Sequence, residues 1–361
     1  MYQALYRKWR PMSFDDVVSQ PHITTTLKNQ IKSGKTAHAY LFTGSRGTGK
    51  TTCARIFAKA INCLDPHDGE PCLECEICKD ADNGTLSDII EIDAASNSKV
   101  DDIRELREGV VYTPERCKYK VYIIDEVHML SAGAFNALLK TMEEPPPHVK
   151  FILATTEIHK VPATIVSRCQ HFDFHRIRNE DIVSRLMYIA SQEGFTLHED
   201  AAGMIARLSD GGMRDALSLL DQCVAYENDI TLDVVSSASG IAGRDYLFDI
   251  LEKIADKDAA GALRVVDKLY DMSKDLKVLA GELLAQMRNV MIIKTIDNNK
   301  DLITCLPDEY ERLKALAERM KLDEILGDIN TLQECSERFA KSTSKRIELE
   351  MCIIKLCGAA Q

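Results

Sequence analysis

The sequence predicts an α/β fold, a parallel sheet sandwiched between helices, followed by a small helical region and a larger all-helical one. Three observations predict it. Short apolar stretches alternate with helical patterns over residues 1–176; a glycine-rich stretch of the form GxxxxGK[ST] stands where one such strand meets a helix; and beyond about residue 178 the strand pattern gives way to amphipathic helix. Strands alternating with helices pair in parallel through crossover connections, which cover both faces of the sheet.

Taken in order, AYLFTG (39–44), DIIEIDA (88–94), VYIIDE (121–126), FILATT (151–156) and HFDFHR (171–176) read as short strands, four of them largely apolar. KTTCARIFAKAIN (50–62) and GAFNALLKTMEE (133–144) read as helices between them, the second stopped by three prolines at 145–147. Residues 179–241 give helical stretches broken at Gly211 and Gly212. From about 242 the pattern is almost wholly amphipathic helix, first YLFDILEKIADKDAAGALRVVDKLYDM, then LKVLAGELLAQMRNVMIIKTI, then further helices. Three domains are expected: 1–178, 179–241 and 242–361.

At 361 residues the chain is long enough for each of these to bury its own core. Its 45% hydrophobic and 28% charged residues are ordinary for a soluble protein. There is no run of about 18 apolar residues to cross a membrane. The basic start MYQALYRKWRP lacks the apolar stretch of a secretory signal. The expectation is a cytoplasmic protein with reduced thiols, so its 12 cysteines are not a disulfide framework. A net charge of −11 excludes a surface that binds polyanions everywhere; any contact with nucleic acid must be local and salt-sensitive.

GSRGTGKT (44–51) carries the clearest chemistry. Its glycines let backbone N–H groups turn inward around the β- and γ-phosphates of a nucleotide, Lys50 adds a point charge, and Thr51 offers a hydroxyl to Mg²⁺. Gly44, Ser45, Arg46, Gly47, Thr48, Gly49 and, just beyond, Thr52 are therefore candidates for ATP binding. The loop opens a helix whose N-terminus faces the phosphates. In VYIIDEVH (121–128), Asp125 is placed to hold the Mg²⁺ shell and Glu126 to orient and polarise an attacking water, at the strand end where parallel sheets bind ligands. Thr156, or its neighbour Thr155, ends another strand and can touch the γ-phosphate or that water. Arg168 reads either as a surface arginine or as a finger reaching a neighbour's site. Arg214 reads either as a helix-start arginine beside Asp215 or as a residue reaching the phosphates from the second domain.

INCLDPHDGEPCLECEIC (61–78) holds four cysteines. Cys72, Cys75 and Cys78 form CxxCxxC, and eight residues separate Cys63 from Cys72. Four thiolates close a tetrahedral Zn²⁺ site with no position left for water, which is the structural type. The long first spacing departs from a standard knuckle, so His67 is a rival fourth ligand, and redox or iron–sulfur chemistry are the other readings.

RKWRPMSFDDVVSQ (7–20), GSRGTGKT, IEIDAASNSKVDDIRELRE (90–108), VYIIDEVHMLS, FNALLKTMEEPPPHVKFILATTE, SRCQHFDF and GGMRDALSLLDQ together resemble the gamma/tau subunits of the bacterial DNA polymerase III clamp loader, a family of AAA+ ATPases. The resemblance runs nearly unbroken over 1–240, and the helical remainder matches in size and character. It implies that Lys50 and Thr51 are Walker A residues and Asp125 and Glu126 Walker B. It makes Thr156 sensor 1, Arg168 the arginine finger acting in trans and Arg214 sensor 2. Arg10, Pro11, Val17 and Val18 would flank the adenine. It implies zinc held by four cysteines, favouring Cys63 over His67, and a helical lid and an oligomerising collar after the ATPase domain.

The function implied is an ATP-hydrolysing motor that loads a sliding clamp onto primed DNA. The partners implied are other loader subunits in a hetero-oligomer with self-association, the clamp, primer–template DNA and, where a longer C-terminal form exists, polymerase and helicase, with no membrane. No polymerase metal–carboxylate constellation is present, so polymerisation itself is expected elsewhere in the holoenzyme. A DExH helicase needs two RecA-like domains where this chain offers one. A scaffold without ATPase activity would not keep both motifs intact. For a branch-migration motor, the cysteines and the SRC motif favour the clamp loader instead.

Overall fold

The computed structural model describes residues 3–96, 108–240, 245–297, 299, 302, 303, 305, 307–339 and 342–358. Residues 97–107 of the IEIDAASNSKVDDIRELRE stretch, and the expected boundary near 242, lie outside the described residues. The chain divides into two compact units, Met1–Val235 and Ser236–Gln361.

The first unit is built on five strands: β1 (Ala39–Gly44), β2 (Ile89–Asp93), β3 (Lys120–Asp125), β4 (Val149–Thr155) and β5 (Gln170–Phe174). Their order is β2-β3-β4-β1-β5, and every pairing is parallel. Strand residues alternate between two cores, as a period of two requires. Tyr40, Phe42, Ile123, Ile152 and Phe172 pack on one face with Phe57 of the helix Lys50–Asn62 and with Phe14, Ile23 and Leu27. Leu41, Tyr122, Ile124, Phe151 and Leu153 pack on the other with Leu138 and Met142 of the helix Ala132–Glu143. Each of these side chains contributes about 2 kcal/mol by leaving water. Every residue of β4 is buried, which is why it reads as a continuous apolar run. β2 is an edge strand and only partly buried.

Past the sheet come the helices Asn179–Glu193, Glu199–Leu208 and Met213–Tyr226. The break between the last two falls at the expected glycines. Gly211 has φ +79°, and a Cβ there would stand 2.6 Å from that of Arg176. One expectation is corrected here, because strands do not stop at 178. Thr196–Leu197 (β6) pairs in parallel with Asp229–Ile230 (β7). Two residues cannot display an alternation, so no periodic signal announces them.

The second unit contains the helices Asp245–Ala255, Ala259–Asp271, Leu276–Thr295, Pro307–Arg319, Leu322–Arg338 and Lys345–Leu356. Leu247, Leu251, Leu279, Leu283, Leu313, Leu332 and Ile353 belong to one apolar core. The stretch from Tyr246 to Met272, continuous in its apolar pattern, is two helices. Lys257 takes a positive φ of 60°, and the Asp258 carboxylate accepts the Gly261 N–H at 2.9 Å to cap the second. No described helix is long and apolar enough to cross a membrane.

Candidate functional site

The glycine-rich loop leaves β1 at Gly44, whose φ of +133° and contact with the next strand admit no side chain: a Cβ would lie 2.3 Å from the Phe174 carbonyl oxygen. Gly47 and Gly49 also take positive φ, +77° and +103°. Thr48 donates its hydroxyl to the Ser45 carbonyl at 2.8 Å, folding the loop back on itself. Lys50 Nζ donates to the carbonyls of Gly44 and Ser45, both at 2.7 Å. Only 6% of Lys50 is exposed. Burial pulls its pKa down, and the carboxylates of Glu126 and Asp125 oppose the shift. A buried ammonium resting on neutral carbonyls is a charge held ready for an anion.

Three further groups converge beside it. Thr51 Oγ1 donates to Asp125 Oδ2 at 2.7 Å, joining the first turn of the helix to the end of β3. A hydroxyl and a carboxylate so placed are an oxygen donor pair suited to Mg²⁺, which keeps most of its water and takes few protein ligands. β3 ends at Asp125, so Glu126 lies one residue past it with φ +47°. Its Oε2 accepts from Thr156 Oγ1 at 3.0 Å and Thr156 N at 3.3 Å, and lies 3.4 Å from His128 Nδ1. The two threonine readings separate here. Thr155 is fully buried, with its hydroxyl 2.9 Å from His128 Nδ1, while Thr156 holds the glutamate.

A cavity of about 400 Å³ opens in front of these groups. Arg46 through Thr52 line one side, with Asp125 and Glu126; Arg10, Pro11, Val17 and Val18 line another; and Met213, Arg214 and Leu217 close it from the third helix after the sheet. Gly44 and Ser45 contribute their carbonyls to Lys50 from beneath and do not line it. Burial, with Arg55 nearby, lowers the pKa of Arg10, while Glu91 opposes the shift.

Several wall residues escape the sequence reading, Tyr6 and Trp9 among them. Tyr6 lies beneath the Arg214 guanidinium, 5.2 Å from its carbon, and Trp9 is anchored by donating Nε1–H to Glu193 at 2.7 Å. The signal was present in LYRKW, where two aromatic residues stand three apart on one helical turn.

At the floor of this wall two glycines touch. Met213 N–H donates to the Gly47 carbonyl at 3.0 Å, and a Cβ on Gly47 would stand 3.0 Å from Gly212 Cα. A Cβ on Gly212 would lie 2.9 Å from Asp215 Oδ2 and 3.1 Å from the Arg46 carbonyl oxygen. Both positions are tight, and the positive φ of Gly47 strains any other residue there.

Arg168 lies elsewhere. It follows the short helix Ala163–Val166 and is absent from the cavity wall. Its guanidinium donates to the Thr164 carbonyl at 2.7 Å and to Glu143 Oε1 at 2.9 Å. Glu143 is 25 positions away in sequence, so the acid partner was invisible to local reading.

The four cysteines do come together. All four sulfurs lie within 4.8 Å of one another, with Cys63–Cys78 at 3.6 Å, Cys72–Cys78 at 3.9 Å and Cys63–Cys75 at 4.0 Å. A tetrahedron of Zn–S bonds of about 2.3 Å has edges of about 3.8 Å, so donor set and spacing both fit zinc. Backbone N–H groups of Cys72, Cys75 and Cys78 point at the sulfurs of Cys63, Cys72 and Cys75, at 3.3, 3.3 and 3.4 Å. Burial alone would raise the Cys75 thiol; N–H groups from Leu64 and Cys78 outweigh it and bring its pKa to about 7, toward the ligating thiolate. His67 is exposed, pairs with Asp65 at 3.2 Å and takes no part in the cluster. Cys63 caps the helix Lys50–Asn62, and Cys75 opens the helix Glu76–Asn83, so the cluster ties two helices together.

Three family models match consecutive parts of the chain: "DNA polymerase III, delta subunit" over 19–178, "DNA polymerase III clamp loader subunit, ATPase lid domain" over 181–229, and "DNA polymerase III subunits gamma and tau domain III" over 230–361. The chain is 45% identical to DNA polymerase III subunit tau of Bacillus subtilis, over 99% of its own length and 63% of the relative's. It is 39% identical to subunit tau/gamma of Haemophilus influenzae, over 98% of its own length and 51% of that protein's. It is 35% identical to subunit gamma of Buchnera aphidicola from Acyrthosiphon pisum, over 99% of both chains. It thus spans less than two thirds of the first two relatives and nearly all of the third.

Proposed function

Since the chain belongs to the gamma/tau family of DNA polymerase III, we propose that it is an ATP-hydrolysing motor subunit of the clamp loader, placing the sliding clamp on primed DNA. The observation that carries this reading is the convergence of Thr51 on Asp125 at 2.7 Å beside Lys50, with Glu126 next in the chain and held by Thr156. ATP fits the cavity with its phosphates on the loop from Gly44 to Thr52 and its base against Arg10, Pro11, Val17 and Val18. Tyr6 and Trp9 complete that wall. Mg²⁺ held by Thr51 and Asp125 would neutralise the phosphate charge. Lys50 exchanges its two carbonyls for phosphate oxygens, and Arg214 approaches the same charge from the lid helix. Glu126 orients and polarises the attacking water, and Thr156 sets where that carboxylate stands.

Arg168 has no place in this cavity, which agrees with a role in trans at a neighbouring subunit's ATP. The helical second unit would then serve assembly with other loader subunits. Zinc on Cys63, Cys72, Cys75 and Cys78 is structural, because four thiolates leave no position for water. The protein works in the cytoplasm, with clamp and primer–template DNA as partners, and with polymerase and helicase in longer forms of the family.

ATP turnover of the assembled loader, measured with clamp and primed DNA together and with DNA alone, tests the reading. Turnover should rise most when both are present. Full stimulation by DNA alone would indicate a translocating motor, and no turnover under any condition would indicate a scaffold. Metal analysis should find about one zinc per chain.

A further inference from the structure

The eight residues between Cys63 and Cys72 fold into a structure of their own. His67 and Glu70 exchange backbone hydrogen bonds at 3.1 and 2.8 Å across a two-residue turn. The turn residues, Asp68 and Gly69, both have positive φ, 53° and 81°, as a type I′ hairpin turn requires and as Asp-Gly favours. This hairpin does not hang free. Lys28 and Lys32 stand four apart, hence on one face of the helix Pro21–Ser33. Lys32 pairs with Asp68 at 3.0 Å and Lys28 with Glu70 at 2.5 Å. Gly69 lies so close to the helix that a Cβ would come within 2.6 Å of the Lys28 carbonyl oxygen.

Glu70 also reaches the chain segment that walls the cavity. Its Oε2 accepts the Phe14 N–H at 2.8 Å, and the Phe14 carbonyl accepts the Val17 N–H at 3.2 Å. Phe14 itself is 1% exposed, with its ring in the core. Asp16 fastens the same turn by accepting from Ser13 Oγ at 2.8 Å. Two hydrogen bonds therefore connect the hairpin to Val17 in the cavity wall, while the cysteine cluster holds the hairpin's stem on both sides.

We propose that Glu70 is a positioning residue for the nucleotide pocket: the hairpin inserted between Cys63 and Cys72, fixed at its base by the cysteines, sets where Val17 and Val18 stand against the base. The proposal rests on the nucleotide reading given above. It also accounts for the irregular cysteine spacing. A knuckle needs only two residues between ligands, and the additional ones here are what reach Lys28 and Phe14.

The effect should fall on the part of the ligand that meets the wall and spare the part that meets the glycine-rich loop. Calorimetric titration of the full chain with ATP, and separately with inorganic tripolyphosphate, separates the two. Glu70→Ala should weaken ATP about tenfold, as loss of a charged acceptor does, and leave tripolyphosphate unchanged with zinc retained. Unchanged ATP affinity would overturn the proposal, and so would equal weakening of both ligands, which indicates general loss of structure. If Glu70→Ala does not fold, Glu70→Gln carries the same comparison. It keeps an oxygen for Phe14 and loses the charge facing Lys28, so ATP should weaken about threefold, and no change would overturn the proposal. Lys50→Ala distinguishes the underlying reading: were it to bind both ligands like the native chain, the nucleotide assignment itself would fail.

Discussion

Arg214 and Arg168 look alike in sequence, each a lone arginine near the start of an element, and the fold separates them completely. Arg214 stands in the cavity wall over the Tyr6 ring, on a helix whose first N–H is bonded to the glycine-rich loop. Arg168 is held on another part of the surface by Glu143 and the Thr164 carbonyl, half-buried and outside the cavity. One arginine is committed to its own chain's site; the other is presented outward in a fixed pose. On the proposed reading, binding is built in cis and the rate comes from a second chain.

The largest test of this division is Arg168→Ala. Loss of an arginine that stabilises the γ-phosphoryl charge costs about 10³–10⁵ in rate. In the assembled loader, clamp- and DNA-stimulated turnover should collapse, whereas ATP binding by the isolated chain should stay as it was. Mixing Arg168→Ala with Lys50→Ala chains should restore part of the activity at interfaces pairing an intact loop with an intact finger. No rescue in mixtures shown to assemble would return Arg168 to a structural role.

Lys50→Ala comes next and belongs to the cis side. Loss of a buried charge facing phosphate should weaken ATP about 100-fold in the isolated chain, read by equilibrium titration. Arg214→Ala should be milder, about tenfold on the same measurement, because the guanidinium is exposed and the loop amides remain. If Arg214→Ala left affinity intact and Arg168→Ala lowered it, the two assignments would have to be exchanged.

The smallest effect sharpens the comparison from the other side. Glu143→Gln removes the charge that poses Arg168 and keeps a hydrogen-bond acceptor. An exposed pair of this kind is worth up to about 1 kcal/mol, so assembled turnover should fall about threefold. A loss as large as that of Arg168→Ala would mean that Glu143 takes part in the chemistry itself.

Which parts were legible follows from the range of the interactions that make them. The strand 39–44, the loop after it and the helix 50–62 are local, and the structure has them at the bounds read from the sequence. The cysteine cluster is local as well, because all four of its sulfurs fall within 63–78. The spacing alone leaves Cys63 and His67 as rivals and the resemblance favours Cys63; the hairpin's course shows why, since it carries His67 away from the sulfurs. The places of Tyr6 and Trp9 depend on the N-terminal segment lying beside the helices 179–193 and 213–226, which no local pattern announces. The Glu143–Arg168 pair escaped for the same reason. β6 and β7 are too short for any period, and the kink at Lys257 is made by one backbone angle inside an unbroken apolar pattern.

The contact of Gly47 with Gly212 has a mechanical meaning. Between most packed elements, side chains act as springs, taking up small displacements by shifting within their rotamer wells. Here two backbones meet at one hydrogen bond with no side chain on either glycine, and the Arg46–Asp215 pair, 4.0 Å apart, stands beside them. A tilt of the helix that starts at Met213 should therefore move the loop, and a shift of the loop should move Arg214, so cavity occupancy and the angle of that helix are expected to change together.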